Sequence, residues 1–181
     1  MADVRIRLAE PGDAEAIRTI YNLEVTTATS TFDLVPRSLA DQEAWLAARA
    51  GAFAAIVAVA DGEVVGFGAL SPYKDRPAYR TTVEDSVYVS RQHGGRGIGA
   101  LLLTHLVELA ERSGFHAVIA RIEASSSTSR ALHARCGFEL VGIERQVGRK
   151  FNRWLDVAVM QYLVDAAAPG IVVGREGFEP P

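Results

Sequence analysis

Val87-Tyr88-Val89-Ser90-Arg91-Gln92-His93-Gly94-Gly95-Arg96-Gly97-Ile98-Gly99-Ala100-Leu101-Leu102-Leu103 is the stretch whose reading decides the fold. An apolar, β-branched run ending at Val89 predicts a strand, a polar and glycine-rich segment follows, and the leucines after Gly97 fall at helical spacing. Glycines at 94, 95, 97 and 99 keep side chains out of the way of a ligand, and the first helical turn leaves N–H groups without internal partners. Such a turn holds an anion, most often a phosphate or pyrophosphate. The competing reading is a tight turn whose glycines serve only positive φ. Four glycines in six residues, with Arg91 and Arg96 beside them, favour the anion.

Upstream of this turn, Thr81 to Val89 forms the feeding strand, preceded by a polar loop from Pro72 to Tyr79 that ends at Arg80. Before it, Phe53 to Ala60 and Glu63 to Leu70 are β-type runs joined by Asp61-Gly62, a hairpin signal. At the N-terminus, Val4 to Leu8 alternates like a half-buried strand, and Pro11-Gly12-Asp13 stops it. Asp13 is expected to cap a helix carrying Ala16, Ile17, Ile20, Tyr21 and Val25 on one face. Thr26 to Pro36 reads as a loop containing Phe32, and Ser38 with Asp41 forms a capping box before a helix with Trp45 and Leu46.

Downstream, the helix from Gly97 to Ser113 places Leu102, Leu106 and Leu109 on a buried stripe and stops at Gly114. His116 to Ile122 is an apolar strand, so strand, helix and strand make a right-handed parallel crossover. A short helix from Ser125 to Cys136 ends at Gly137, and Leu140 to Val147 with Trp154 to Leu163 read as two closing strands. Residues 166–181 have no period and are expected to be a disordered tail behind a domain spanning 1–165. The fold class is α+β: one mixed central β-sheet flanked by helices.

Composition narrows the function classes. The 181 residues are enough for one domain that buries about two-thirds of its unfolded surface. A net charge of −3, with arginines scattered among acids, points away from nucleic acid. A single cysteine, Cys136, precludes an internal disulfide or a Cys-based zinc cluster; no metal is expected, and a reducing cytoplasm fits. No apolar run spans a bilayer, and the first residues lack a signal peptide's apolar core, so no membrane association is expected.

Gly95-Arg96-Gly97-Ile98-Gly99-Ala100 also fits the dinucleotide fingerprint, with Glu123 where a ribose-binding acid belongs. That fingerprint normally opens several consecutive βαβ units. Here a meander precedes it, and too little chain follows for a second mononucleotide-binding half. The surroundings resemble something else. With Ser129-x-x-Leu132-His133-x-x-x-Gly137-Phe138 behind it, the turn is similar to the acetyl-CoA site of the GCN5-related N-acetyltransferase (GNAT) superfamily. Tyr79 to Val89, the Leu132-His133 pair, and Val147-Gly148-Arg149-Lys150-Phe151-x-x-Trp154-Leu155-Asp156-Val157 narrow the resemblance to phosphinothricin and methionine sulfoximine or sulfone acetyltransferases, over about residues 4–164.

That resemblance implies a GNAT-type fold and a set of roles. The pyrophosphate of acetyl-CoA is expected on the N–H groups of Gly94, Gly95, Arg96, Gly97, Ile98, Gly99 and Ala100, and the pantetheine arm along Val87, Tyr88 and Val89. Ser126, where the family usually has Asn, and Ser129 are further cofactor contacts. Gly94 stands where relatives usually carry Arg or Gln; either Arg91 or Arg96 supplies the missing charge, or backbone donors do most of the holding and the side chain is dispensable. Glu84 is the expected general base that takes the proton of an amine, and His133 is either a second catalytic or cofactor-contacting group or a satisfied structural histidine. Arg80, with Thr81 and Thr82, and the aromatics Phe32 and Tyr79 are expected to select the substrate, because a guanidinium suits a carboxylate or phosphinate. The implied activity is acetylation of the α-amino group of a small amino-acid-like molecule by a cytoplasmic homodimer. A peptide N-terminus or a polyamine as acceptor, and a non-catalytic acyl-CoA sensor, are the alternatives.

Overall fold

The structure, a computed structural model, describes residues 4–164. Its elements are β1 (Arg5–Leu8), α1 (Ala14–Thr27), α2 (Leu39–Ala47), β2 (Ala55–Ala60), β3 (Glu63–Pro72), β4 (Thr82–Val89), α3 (Ile98–Arg112), β5 (Ala117–Glu123), α4 (Ser127–Arg135), β6 (Glu139–Lys150) and β7 (Arg153–Leu163). The expected tail at 166–181 lies outside the described residues.

One seven-stranded sheet runs β1-β2-β3-β4-β5-β7-β6, as the expected mixed α+β architecture requires. Only β4 and β5 are parallel, as the crossover through α3 dictates. They pair over just three positions, Thr82, Val83 and Glu84 against Ala117, Val118 and Ile119. Beyond them β4 continues on β3 alone and β5 on β7 alone, so the two central strands part.

Each face of the sheet has its own core. Leu102, Leu103 and Leu106 of α3 pack with Val118, Ala120, Ile122 and Phe138 on one side, and Ile17, Tyr21 and Val25 of α1 pack with Leu46, Val57 and Phe67 on the other. The Asp61-Gly62 hairpin is present with positive φ at both residues, the geometry of a primed two-residue turn. Ser38 and Asp41 form the anticipated capping box. The β6–β7 hairpin is longer than the pattern predicts because Phe151 and Asn152 both take positive φ, a turn that no glycine announces.

Asp13 is a correction: its carboxylate does not cap α1. It receives two guanidinium bonds from Arg7, at 2.6 and 2.8 Å, and the N–H of Glu10 at 2.7 Å, tying β1 to the start of α1. α1 also runs through Thr26 and Thr27, whose hydroxyls bond back to carbonyls of the preceding turn. No helix among the described residues is long and apolar enough to cross a membrane.

α3 lies directly on β3, and two glycines allow it. A Cβ at Gly68 would stand 2.9 Å from Leu106 Cδ1 and 3.2 Å from the Ser86 carbonyl, and one at Gly66 3.1 Å from Leu102 Cδ1. The packed backbone at Ser86 cannot retreat, so Gly68→Ala is expected to cost about 1–3 kcal/mol of stability, read as a lower urea midpoint. An unchanged midpoint would show that α3 can lift off the sheet freely.

Candidate active site

The parting of β4 from β5 opens a cavity of about 140 Å³ between them. Its wall includes Glu84 to Tyr88 from β4, Ala120 to Glu123 from β5, and Ser126, Ser129 and His133 at α4. Along Asp85 to Val89 the β5-facing edge of β4 has no strand partner among the described residues. A second cavity of about 220 Å³ adjoins it on the α1 side, walled by Ser30, Thr31, Phe32, Glu84, Tyr88, Arg121, Glu123 and Val157. Glu84, Arg121, Glu123, Tyr88 and Ser30 line both.

The glycine turn stands at the end of β4. Gly95 and Gly97 take positive φ, and a Cβ at either would meet nothing within 4 Å, so the backbone there is open to a ligand. Gly97 sits at the N-cap of α3, and the N–H of Leu101 bonds back to its carbonyl, which leaves the earlier N–H groups of the turn directed outward. Gly99 has a different use. A Cβ on it would stand 3.1 Å from Leu132, so it lets α4 pack close to α3. Arg91 is held at 2.8 Å by Glu24 and at 2.7 Å by Thr27, whereas Arg96 has no such partner among the described residues.

Glu84 and Asp85 are neighbours in sequence but face opposite sides of the sheet. Burial raises the Glu84 pKa above its ordinary 4.5; the Arg121 guanidinium works against this, and Asp85 and Glu144 add to it. Asp85 is buried and meets His133, with Nε2 at 3.1 Å from Oδ2, while His133 Nδ1 lies 2.8 Å from the Ser129 carbonyl. Both ring nitrogens therefore face acceptors, an arrangement that favours the doubly protonated ring. Burial of the ring favours its neutral form, but the bond to Asp85, the Asp85 charge and the Ser129 carbonyl outweigh it and raise the pKa. Asp85 Oδ1 is buried without a protein partner.

The loop between α1 and α2 roofs the second cavity and is tied from four directions. Tyr21 bonds Thr31 and Asp33 at 2.8 and 2.7 Å, Thr29 bonds Glu123 at 3.2 Å, and Ser30 bonds Glu24 at 2.7 Å. The buried Lys150 ammonium donates to the Thr31 carbonyl at 2.7 Å. Phe32 rests on Gly148, where a Cβ would come within 2.2 Å of its ring. Glu123 also accepts from the Ser125 N–H at 3.0 Å and the Ser125 hydroxyl at 2.6 Å, fixing the chain between β5 and α4.

The structure thus brings Glu84, His133, Ser126, Ser129, Val87, Tyr88 and Phe32 to the two cavities. It does not bring Arg80, Thr81, Thr82 or Tyr79 there. Arg80 and Thr81 lie exposed before β4, Thr82 pairs with Ala117 at the far end of the parallel contact, and Tyr79 packs edge-on against Tyr73. Residues that sequence reading passed over at this place are Asp85, Arg121 and Glu144. Asp85 adjoins Glu84 and was available to notice; the Arg121–Glu144 pair joins strands 23 residues apart, which no local pattern signals.

Comparison with known proteins gives a consistent picture. Residues 17–138 match the profile of the Acetyltransferase (GNAT) family. The chain is 40% identical to an L-methionine sulfoximine/L-methionine sulfone acetyltransferase of Pseudomonas paraeruginosa, over 88% of this chain and 94% of that protein. It is 38% identical to a phosphinothricin N-acetyltransferase of Streptomyces coelicolor, over 87% and 94% of the two. A phosphinothricin acetyltransferase from Sinorhizobium meliloti, solved in complex with acetyl-CoA, superposes with a TM-score of 0.87 at 36% identity, covering 94% of each chain.

The His133–Asp85 pair makes stability depend on pH. The folded pKa of His133 lies above its ordinary 6.5, so the pair's contribution is fully present below that value and is lost as pH rises through the folded pKa. The stability difference between the wild type and His133→Gln, from urea unfolding, is expected to be larger at about pH 6 than at about pH 9. A difference that grows with pH would mean that the ring is neutral in the fold.

Proposed function

The chain belongs to the acetyltransferase (GNAT) family and is an N-acetyltransferase that uses acetyl-CoA; from that premise we propose that it acetylates the α-amino group of a small amino-acid-like molecule such as phosphinothricin, methionine sulfoximine or methionine sulfone, with Glu84 as general base. One observation carries this reading. Glu84 stands where β4 leaves β5 and lines both the cavity that meets α4 and the cavity roofed by Phe32.

The residues fit acetyl-CoA. The open backbone of Gly95 and Gly97 and the first N–H groups of α3, with Gly94, Arg96, Ile98, Gly99 and Ala100 completing the turn, suit a pyrophosphate. The free edge from Val87 to Val89 suits an extended amide-bearing arm, with Ser126 and Ser129 at the opposite wall. Acetyl-CoA supplies an acetyl group activated as a thioester. The protein supplies the rest. A substrate ammonium has no lone pair, so the Glu84 carboxylate must take its proton, directly or through water. Main-chain N–H groups on the free edge stabilise negative charge on an acyl oxygen, an effect of about 3 kcal/mol where geometry is good. Asp85 and the Ser129 carbonyl occupy both ring nitrogens of His133, so its role is to hold β4 against α4 beside the reacting groups.

The test is thiol release from acetyl-CoA with phosphinothricin, methionine sulfoximine, methionine sulfone, spermidine and a short peptide side by side. Turnover on the first three alone is expected. Turnover only on spermidine or peptide would discard the substrate, and silence on all five would favour a sensor. Glu84→Gln is expected to lower kcat by about 10²- to 10⁴-fold with acetyl-CoA binding retained. Because the Glu84 pKa is raised, its base form is lost on acidification at a pH above the ordinary 4.5, and the acid limb of kcat/KM is expected there.

The proposal extends to a homodimer of the cytoplasm, in keeping with the lone Cys136. β6 is the outer strand of the sheet and presents Leu140, Val141, Ile143 and Val147, with Phe151 and Trp154 at the hairpin tip, all exposed. A second copy covering this edge explains an apolar strand that a monomer would otherwise leave open. Sedimentation is expected to give twice the monomer mass, and Val141→Asp to return it to the monomer; a monomeric wild type would refute the dimer.

A further inference from the structure

We propose that Arg121 is the carboxylate anchor of this site and sets its preference for α-amino acids over simple amines. The inference rests on the amino-acid reading above and deepens it. An α-amino acid is a zwitterion, so a site that selects it must offer a cation to its carboxylate and an acid to its ammonium at a short, fixed separation. Alternation along β5 supplies this. Val118, Ala120 and Ile122 enter the core beneath α3, so Arg121 and Glu123 face the other side, with Glu84 of the neighbouring strand. Among the described residues Arg121 is the only lysine or arginine in the walls of the two cavities, and it lines both. The other cation there, His133, is committed to Asp85 and the Ser129 carbonyl.

The guanidinium is held without being used up. Glu144 of β6 accepts from Nη1 at 3.1 Å and from Nη2 at 2.6 Å, which orients the fork. A guanidinium has five N–H groups, so three remain, including the whole Nε edge, and none has a partner among the described residues. The side chain keeps 33% of its surface exposed, enough for a second carboxylate to dock on the free edge. Glu84 takes the ammonium end, and Glu123, also on this face, adds a second negative charge there.

The experiment compares two acceptors that differ only by the carboxylate: methionine sulfone and 3-(methylsulfonyl)propylamine. For Arg121→Gln the KM for methionine sulfone is expected to rise by about tenfold or more relative to the KM for the amine; any change at Glu84 that follows loss of the guanidinium acts on both acceptors and cancels in that ratio. The preference for the amino acid therefore falls by about tenfold. Arg121→Lys, which keeps the charge but loses the fork, is expected to fall between, and it serves if the glutamine variant folds poorly. Glu144→Gln breaks the same ion pair but leaves the guanidinium, and it is expected to retain the preference. Equal losses on both acceptors, or a Glu144→Gln variant that reproduces Arg121→Gln, would show a purely structural pair and overturn the proposal. So would an unchanged preference in Arg121→Gln while the wild type acetylates methionine sulfone, which leaves the amino-acid reading standing. A wild type that acetylates only amines without a carboxylate removes that reading and this proposal together.

Discussion

The parallel contact between β4 and β5 lasts three residues, and the rest of the site depends on its stopping there. Had the two strands stayed paired to their ends, the β5-facing N–H and C=O groups along Asp85 to Val89 would be consumed by the sheet, as the β3-facing ones are. Parting leaves them free in the middle of the molecule, the least common place for open backbone in a folded domain. The strands are held apart from outside. β4 keeps its full ladder to β3, on which α3 is seated through Gly66 and Gly68, and β5 keeps its ladder to β7 over seven positions. Each strand is thus anchored on its outer side, and the unpaired backbone of β4 faces the opening.

The pleat then divides two adjacent acids between two tasks. Glu84 faces the loop side among Arg121, Glu123 and Tyr88, where burial raises its pKa and Arg121 restrains the rise. Asp85 faces α4 and is bound to His133, a contact that spans the same opening on its other side. A shift of register by one residue would exchange the two environments. A buried ion pair is poor evidence of stability, because desolvation offsets attraction, but it is good at fixing one arrangement against another. Here it fixes which way β4 is turned.

What was legible in the sequence is what local chemistry controls. The glycine turn, the Asp61-Gly62 hairpin, the Ser38–Asp41 box and the helix stops at Gly114 and Gly137 each rest on residues within a few positions, and all of them are in the structure. Glu84 was reachable through its place on the strand that feeds the turn. The failures share a cause. Asp13 reads as a cap until Arg7 is seen beside it, and the Phe151-Asn152 turn lacks the glycine that marks such geometry. Arg80 reads as the substrate's cation because a guanidinium suits a carboxylate, and the structure places it exposed before β4, outside the walls of the two cavities. Arg121, in a run otherwise apolar, reads as a strand residue, and only β6 returning to place Glu144 beside it reveals a held guanidinium.

The roof of the second cavity shows why the substrate side is the harder half to read. The proposed cofactor contacts lie mostly within the stretch from Val87 to Ala100, whereas the loop from Thr29 to Asp33 is shaped by Tyr21, Glu123, Gly148 and Lys150, drawn from three elements. Phe32 reaches its place only because Gly148 has no side chain, and Thr31 only because a buried ammonium meets its carbonyl. Each such contact spans roughly a hundred residues of chain, so a small change at any one reshapes the pocket without touching the turn that holds the cofactor. The contacts of Phe32 on Gly148 and Arg121 on Glu144 are each made between separate elements, and each lies at the wall of a cavity rather than in the glycine turn.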